Sequence, residues 1–146
     1  TIEGEIKDLI AADSNICRNY KLLTSIKGVG PITAIVMLCS TLNFTKITDH
    51  RKFACYCGLA PFEHSSGTSV RGGCHTSSMA NRDIKVQLNR SALIAIRCDP
   101  QLKAYYERKV AEGKHKFSVL NAVRAKIAAR CFAVVRRGTP YVALQI

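Results

Sequence analysis

The sequence predicts an all-α domain of several helices, containing one helix–hairpin–helix and one long polar loop. Three observations carry this. Apolar residues recur at helical spacing through most of the chain, and no convincing strand pattern appears. Glycine, proline and Asp–Ser steps fall at the ends of the periodic stretches. Between two such stretches lies the 24-residue segment 58–81, GLAPFEHSSGTSVRGGCHTSSMAN, longer than the roughly 12–15 residues that idle connections reach in compact domains.

The elements follow in order. Residues 1–12 place Ile2, Ile6 and Leu9/Ile10 on one stripe with acids facing away, the pattern of the end of a longer, coiled-coil helix. Residues 1–13 are therefore read as the end of a connecting helix and 14–146 as the domain it enters. A second helix covers 14–26 with Ser14 as N-cap after Asp13, and a third covers 31–42 with Pro31 in its first turn. A shorter one, 49–59, stops at Gly58. Beyond the loop, 82–98 carries the stripe Ile84, Leu88, Ser91/Ala92 and Ala95. Asp99-Pro100 closes it and opens the helix of 100–113. In the last helix, 116–138, Leu120, Val123, Ile127, Cys131 and Val134 form the inner face, while Arg124, Lys126 and Arg130 point outward. Gly138 and Pro140 end it.

Charge narrows the class of partner. Lys and Arg number 22 against 10 acids, a net charge of +12. The first 13 residues carry −3, so the rest of the chain carries +15. A basic surface of that size suits a polyanion, nucleic acid first among them, against the plainer reading of a solubilising surface. No apolar run approaches the roughly 18 residues that span a bilayer, and no signal-peptide pattern opens the chain. A soluble cytoplasmic protein without a membrane partner is expected.

The 7 cysteines are an odd number in a cytosolic composition, which favours thiols over a disulfide framework. Cys17, Cys39, Cys98 and Cys131 fall inside apolar helical patterns and are expected to behave as small buried hydrophobes. Cys55, Cys57, Cys74 and His75 invite a zinc reading, but C-x-C and C-H are not the spacings of the common structural sites. No metal ligands are assigned.

Two segments carry chemistry. The first is LLTSIKGVGPITAIVML, at about 19–40, two helices joined by Gly28-Val29-Gly30, the pattern of a helix–hairpin–helix. Gly28 and Gly30 allow positive φ and close backbone approach, the next helix presents free N–H groups, and Lys27 adds charge. The competing reading is a plain αα-turn whose glycines serve packing. The second is the long loop, whose serines are by default turn and cap residues. His64 before the Ser65-Ser66 pair, Gly67 after it, and Arg71 and Arg82 nearby make it a candidate phosphate-handling site. An exposed serine beside glycine can reach a phosphorus, and arginine forks neutralise non-bridging oxygens.

The blocks GVGPITA, FACYCGLAPFEHSSG, VRGG, TSSMANRDIK, DPQLKAYYERKVAEGK and RRGTPY run in the order found in the C-terminal domain of the insertion-sequence-110 family of DEDD transposases, which includes a pilin-gene invertase. The chain resembles that domain from about Leu22 to Tyr141. The resemblance implies a bacterial DNA recombinase whose N-terminal RuvC-like domain holds metal through four acids, with Mg2+ as the expected ion, and is joined by a coiled coil to the present domain. It also implies DNA and a guide RNA as partners, a homo-oligomer, and a serine that attacks a DNA phosphodiester to form a phosphoserine link. That serine aligns with Ser66, beside Gly67, with Ser65 as second choice. His64, Gly67, Arg71, Asn81 and Arg82 join Lys27, Gly28 and Gly30 as nucleic-acid-binding residues. Where the family reads S-K-x-G-N, this chain has Ser77-Ser78-Met79-Ala80-Asn81, without the lysine and the glycine.

Beyond residue 13 the acids are Asp49, Glu63, Asp83, Asp99, Glu107 and Glu112, with no close pair of the two-metal kind. The fragment alone is thus expected to bind nucleic acid without recombining it. A non-catalytic helix–hairpin–helix DNA-binding module and a zinc-stapled interaction domain remain the competing readings.

Overall fold

The computed structural model describes residues 1–59, 61–66, 70–76 and 82–143, and of segments 61–66 and 70–76 the backbone. Seven helices form among the described residues: α1 (Ile2–Ala12), α2 (Ser14–Thr24), α3 (Pro31–Ser40), α4 (His50–Tyr56), α5 (Arg82–Cys98), α6 (Pro100–Ala111) and α7 (Lys116–Arg137). The all-α class read from the sequence holds. Three aspartates start helices by the same device, a carboxylate accepting from the amide two residues on and, for Asp13 and Asp99, also from the one three residues on. Asp13 caps α2, Asp49 caps α4 and Asp99 caps α6. The cap of α2 is therefore Asp13 and not Ser14, because Asp13 takes the extended φ/ψ that a cap requires while Ser14 is already helical. At the far end of α7, Gly138 takes φ 72° and its N–H donates to the Val134 carbonyl, the left-handed stop its sequence position indicates.

The core gathers around α7. Val123, Ile127, Cys131 and Val134 are buried, with Leu120 at the margin, as the apolar stripe predicts. Phe132 joins them, making an edge-on contact with Phe44 at 5.0 Å and a tilted one with Phe53 at 5.4 Å. Helices α2, α4, α5 and α6 all pack on α7. Phe44 reaches this cluster through an unusual bend: Leu42, Asn43 and Phe44 take φ of 47°, 56° and 61°. Left-handed conformations cost non-glycine residues about 1–2 kcal/mol each. The bend is held by Asn19 donating to Asn43 Oδ1 at 2.7 Å and by Thr41 Oγ1 accepting from the Phe44 amide at 2.9 Å. It also ends α3 two residues before the expected position.

Helix α1 packs against α2 with Ile6 and Ile10 half-buried, and none of its residues is fully buried. Of the four cysteines expected inside, Cys131 is buried and Cys17 half-buried, whereas Cys39 and Cys98 are exposed. Both exposed thiols sit near helix C-termini, where the stripe has rotated out of the core. No helix among the described residues is long and apolar enough to cross a membrane.

The connector between α2 and α3 is fastened at several points. Gly28 takes φ +92°, and a Cβ there would stand 2.7 Å from the Ser91 carbonyl and 2.9 Å from the Ala95 Cβ. The small residues on the stripe of α5 thus have a purpose: they let the connector touch the helix backbone. Thr33 and Ser91 exchange a buried hydroxyl hydrogen bond at 2.9 Å across the same contact. From the other side, the Tyr141 amide donates to Ser25 Oγ at 2.9 Å, tying the C-terminal segment to the connector.

The long segment 58–81 departs from expectation. Strands β1 (Pro61–Ser66) and β2 (Val70–Thr76) pair antiparallel, so a β-hairpin stands where a loop without strands was expected. Its sequences, PFEHSS and VRGGCHT, lack the apolar/polar alternation that betrays a half-buried strand. The register shifts by one residue between Glu63 and Ser65, so that Gly72 and Gly73 together face His64. A glycine pair accommodates such a bulge without side-chain cost.

A second correction concerns the cations of α7. Arg130 does not point outward: its Nη1 donates to Asp99 Oδ2 at 2.7 Å, its Nη2 donates to Gln101 Oε1 at 3.0 Å, and its guanidinium lies 4.8 Å over the Tyr141 ring. Asp99 is only 2% exposed, so leaving α5 at Asp99-Pro100 plants a buried carboxylate that α7 must answer. Arg124 is also drawn inward, as described below.

Two stability outcomes follow. Gly28→Ala should destabilise the fold by at least about 2 kcal/mol in denaturant melts, whereas Gly30→Ala, with open space at its Cβ position, should change it by less than about 1 kcal/mol. Burial raises the Asp99 pKa, but Arg130 and the Leu102 and Gln101 amides outweigh it and hold the carboxyl below its usual value. A depressed folded pKa gives stability that is complete above the unfolded value of about 3.9 and is lost as pH falls through the folded one. Asp99→Asn should therefore cost roughly 3 kcal/mol near neutral pH. That difference should shrink in melts run progressively below pH ~4.

Candidate nucleic-acid interface

The hairpin leaves the helices just after α4. Leu59 is buried at its base, and Asn121 of α7 donates to the Leu59 carbonyl at 2.8 Å, two residues before β1 begins. From Pro61 to Ser66 the strand advances about 17 Å at the usual rise of β structure. The two serines close β1, with Ser66 opposite Val70 and Ser65 opposite Arg71. His64 faces the two-glycine bulge of β2. Gly67 lies outside the described residues, as does the whole of the departing segment 77–81, Asn81 included. Arg82 is exposed at the first position of α5, where the chain returns from the hairpin.

The structure divides the connector residues. Lys27 is exposed, and Gly30, the N-cap of α3, has nothing within 4 Å of a Cβ position. Gly28 faces inward onto α5, so its need for glycine is explained by packing and not by a ligand. Pro31 brings no N–H, which leaves Ile32 and Thr33 to provide the first amides of α3. Ile32 is 56% exposed beside them.

Three polar residues gather where the hairpin joins the helices, and the sequence did not single them out. Lys85 in the first turns of α5 and Arg124 of α7 are both half-buried. Burial first, and then the Arg124 charge, holds the Lys85 pKa below the ordinary lysine value. Burial likewise lowers Arg124. The Arg124 Nε and the Asn121 Oδ1 are buried without a hydrogen-bond partner. The sequence signal was thin: an Asn-x-x-Arg step on a helix otherwise read as apolar inside and basic outside.

A second basic surface lies between α6 and α7. Lys126 Nζ stands 4.6 Å and the Arg108 guanidinium 5.8 Å from the centroid of the Tyr105 ring. Arg130 borders the same groove but is committed to Asp99.

Of the group Cys55, Cys57, Cys74 and His75, the side chains of Cys74 and His75 lie outside the described residues. Burial pushes the Cys57 thiol up to about 11, and its Sγ donates to the Ala54 carbonyl at 3.8 Å, whereas Cys55 is exposed. A ligand thiolate needs the opposite environment. Among the described residues no three His, Cys, Asp or Glu side chains come together as a metal site. The acids are otherwise employed: Asp13, Asp49 and Asp99 cap helices, and Glu112 pairs with Lys109 at 3.0 Å. Among the described residues no carboxylate cluster fits a two-metal site.

Comparison with known proteins places this arrangement. A family model described as "Transposase IS116/IS110/IS902 family" matches residues 20–107, from α2 through the hairpin into α6. The chain is 39% identical over 121 residues to the insertion element IS110 uncharacterized 43.6 kDa protein of Streptomyces coelicolor, covering 82% of this chain and 29% of that protein. It is 24% identical over 141 residues to the pilin gene-inverting protein of Moraxella bovis, covering 96% and 44%. Against the insertion element IS900 uncharacterized 42 kDa protein of Mycobacterium paratuberculosis the identity is 30% over 112 residues, covering 75% and 28%. The chain thus spans less than half the length of these relatives. With the connector, the hairpin and α5 all inside the matched region, the chain belongs to the IS116/IS110/IS902 family of transposases.

Proposed function

We propose that residues 14–146 form the C-terminal domain of a DNA recombinase, which grips nucleic acid and presents Ser66 as nucleophile to a site completed by another domain of the same protein. The observation that carries this is the family match across the connector and the hairpin, together with a net charge of +12. The relatives named for an insertion element and for inverting a pilin gene favour strand exchange in DNA.

In this reading the Ser66 Oγ attacks a backbone phosphorus, forming an O–P bond as the bond to one DNA oxygen breaks. The serine proton leaves to a base, and the departing oxygen takes a proton in turn. Charge on the non-bridging oxygens is met by Arg71 and Arg82, with His64, Gly67 and Asn81 near the path. Lys27, Gly30 and the first amides of α3 hold a second stretch of backbone, as a helix–hairpin–helix does. Gly28 supports this only by fixing the connector. Mg2+ belongs to the acids of an N-terminal RuvC-like domain, not to this chain. Helix α1, with Ile2 77% and Leu9 71% exposed, suits the end of a coil that joins the two domains and pairs copies. A guide RNA is a further expected partner of the assembled protein.

A second reading of the nucleophile rests on the register. Ser65 is the residue set opposite Arg71, which would favour it if the arginine activates its neighbour.

Strand-exchange assays on the full-length protein decide. Ser66→Ala should reduce recombination at least about 1000-fold while changing nucleic-acid affinity less than about twofold, and Ser65→Ala should remain active. The reverse pattern would transfer the role to Ser65, and full activity in both variants would sink the reading. For the binding function, duplex DNA affinity should fall steeply with salt. Lys27→Gln should lower the slope of log K against log salt by about one. A salt-independent affinity would contradict it.

A further inference from the structure

We propose that Lys85 and Arg124, set beside Asn121, form a phosphate site at the foot of the hairpin that holds the nucleic-acid backbone in register with the serines. Two half-buried cations on helices that pack together, with Arg124 near enough to disfavour the charge on Lys85, are an expensive arrangement for a protein interior. Arginine stays charged under all ordinary conditions, so the repulsion is not relieved there by losing a proton. The charges acting on Lys85 are those of Arg124 and the Cys57 thiol, the charge acting on Arg124 is that of the Cys57 thiol, and none of them is a carboxylate of the described residues. The Arg124 Nε is a buried donor without an acceptor. Natural structures leave few such donors, and those they leave commonly meet an ion or a water. A phosphate oxygen answers each of these features together: it accepts from Arg124 and Lys85, and it neutralises both. Its hydration water supplies a donor for the orphaned Asn121 Oδ1.

The location gives the site its use. Asn121 is also the residue that pins the Leu59 carbonyl at the hairpin base. A phosphate held there lies at the fixed end of a strand whose other end is Ser66, about 17 Å further along. That distance makes Lys85 and Arg124 anchoring residues and not catalytic ones. The inference rests on the reading that this chain binds nucleic acid, but the site itself can be tested without it.

Thermal melts of the 146-residue chain should be compared in inorganic phosphate and in chloride at matched ionic strength. The unmodified chain should melt higher in phosphate. Lys85→Met should lose most of that increment while melting no lower than the parent in chloride, since one of two repelling charges is gone. Arg124→Lys, which keeps the charge but removes the buried Nε donor, should lose part of it. Absence of a phosphate increment in the parent, or an undiminished increment in Lys85→Met, overturns the proposal. In duplex DNA binding, Lys85→Met should weaken affinity roughly tenfold and reduce the salt slope by about one. Unchanged affinity overturns the assignment to nucleic acid. Ser66→Ala should leave both measurements as they are, so failure of the nucleophile assignment reads out separately.

Discussion

The fold depends on one close contact: the α2–α3 connector lying directly on α5 at Gly28. A Cβ at that position would overlap the Ser91 carbonyl, so the approach exists only because residue 28 has no side chain and α5 offers serine and alanine there. Once the connector is seated, the buried Thr33–Ser91 bond sets the rotation of α3 against α5. Ser25 then receives the Tyr141 amide, and Arg130 over the Tyr141 ring carries the restraint on to α7. One tight contact between backbones thus relates the connector, α5, α7 and the C-terminal segment.

α7 distributes that order to the rest of the domain. Its apolar side fills the core, and three of its polar residues play different parts. Arg130 compensates the buried Asp99, which caps α6; Asn121 holds the start of the hairpin; Arg124 lies unpartnered at Nε beside Lys85. The first two spend their hydrogen bonds on structure. The third does not, and the contrast within one helix sets Arg124 apart from the residues that build the fold. The basic character of the chain is accordingly uneven in use. Some cations are bound to internal acids or stacked on rings, and others, such as Lys27 and Arg82, remain on the surface.

Much of the architecture was legible in the residues. Helix α5 begins and ends where the stripe from Ile84 to Ala95 and the Asp99-Pro100 step indicate, and the inner face of α7 is the one its spacing selects. These features depend on local periodicity and capping, which act within a few residues of the chain. The hairpin was not legible, because its strands pair through backbone groups and contribute no alternating apolar face. The α3 end was missed for a related reason: Leu42, Asn43 and Phe44 turn left-handed only because Asn19 and Phe132, distant in sequence, hold them there.

The same division runs through the candidate site. Sequence by itself determined the helical class, the basic excess, the serine-bearing segment and, through its ordered motifs, the transposase family. Those properties are set by composition, period and short motifs, all readable along one dimension. Only the tertiary structure decided that Gly28 serves packing while Gly30 stays open, and that Ser65 rather than Ser66 stands opposite Arg71. It alone brought Lys85 together with Arg124, 39 positions apart in the numbering of the chain. Such pairings arise when separate helices exclude water from the same small volume, and no pattern within either helix encodes its neighbour.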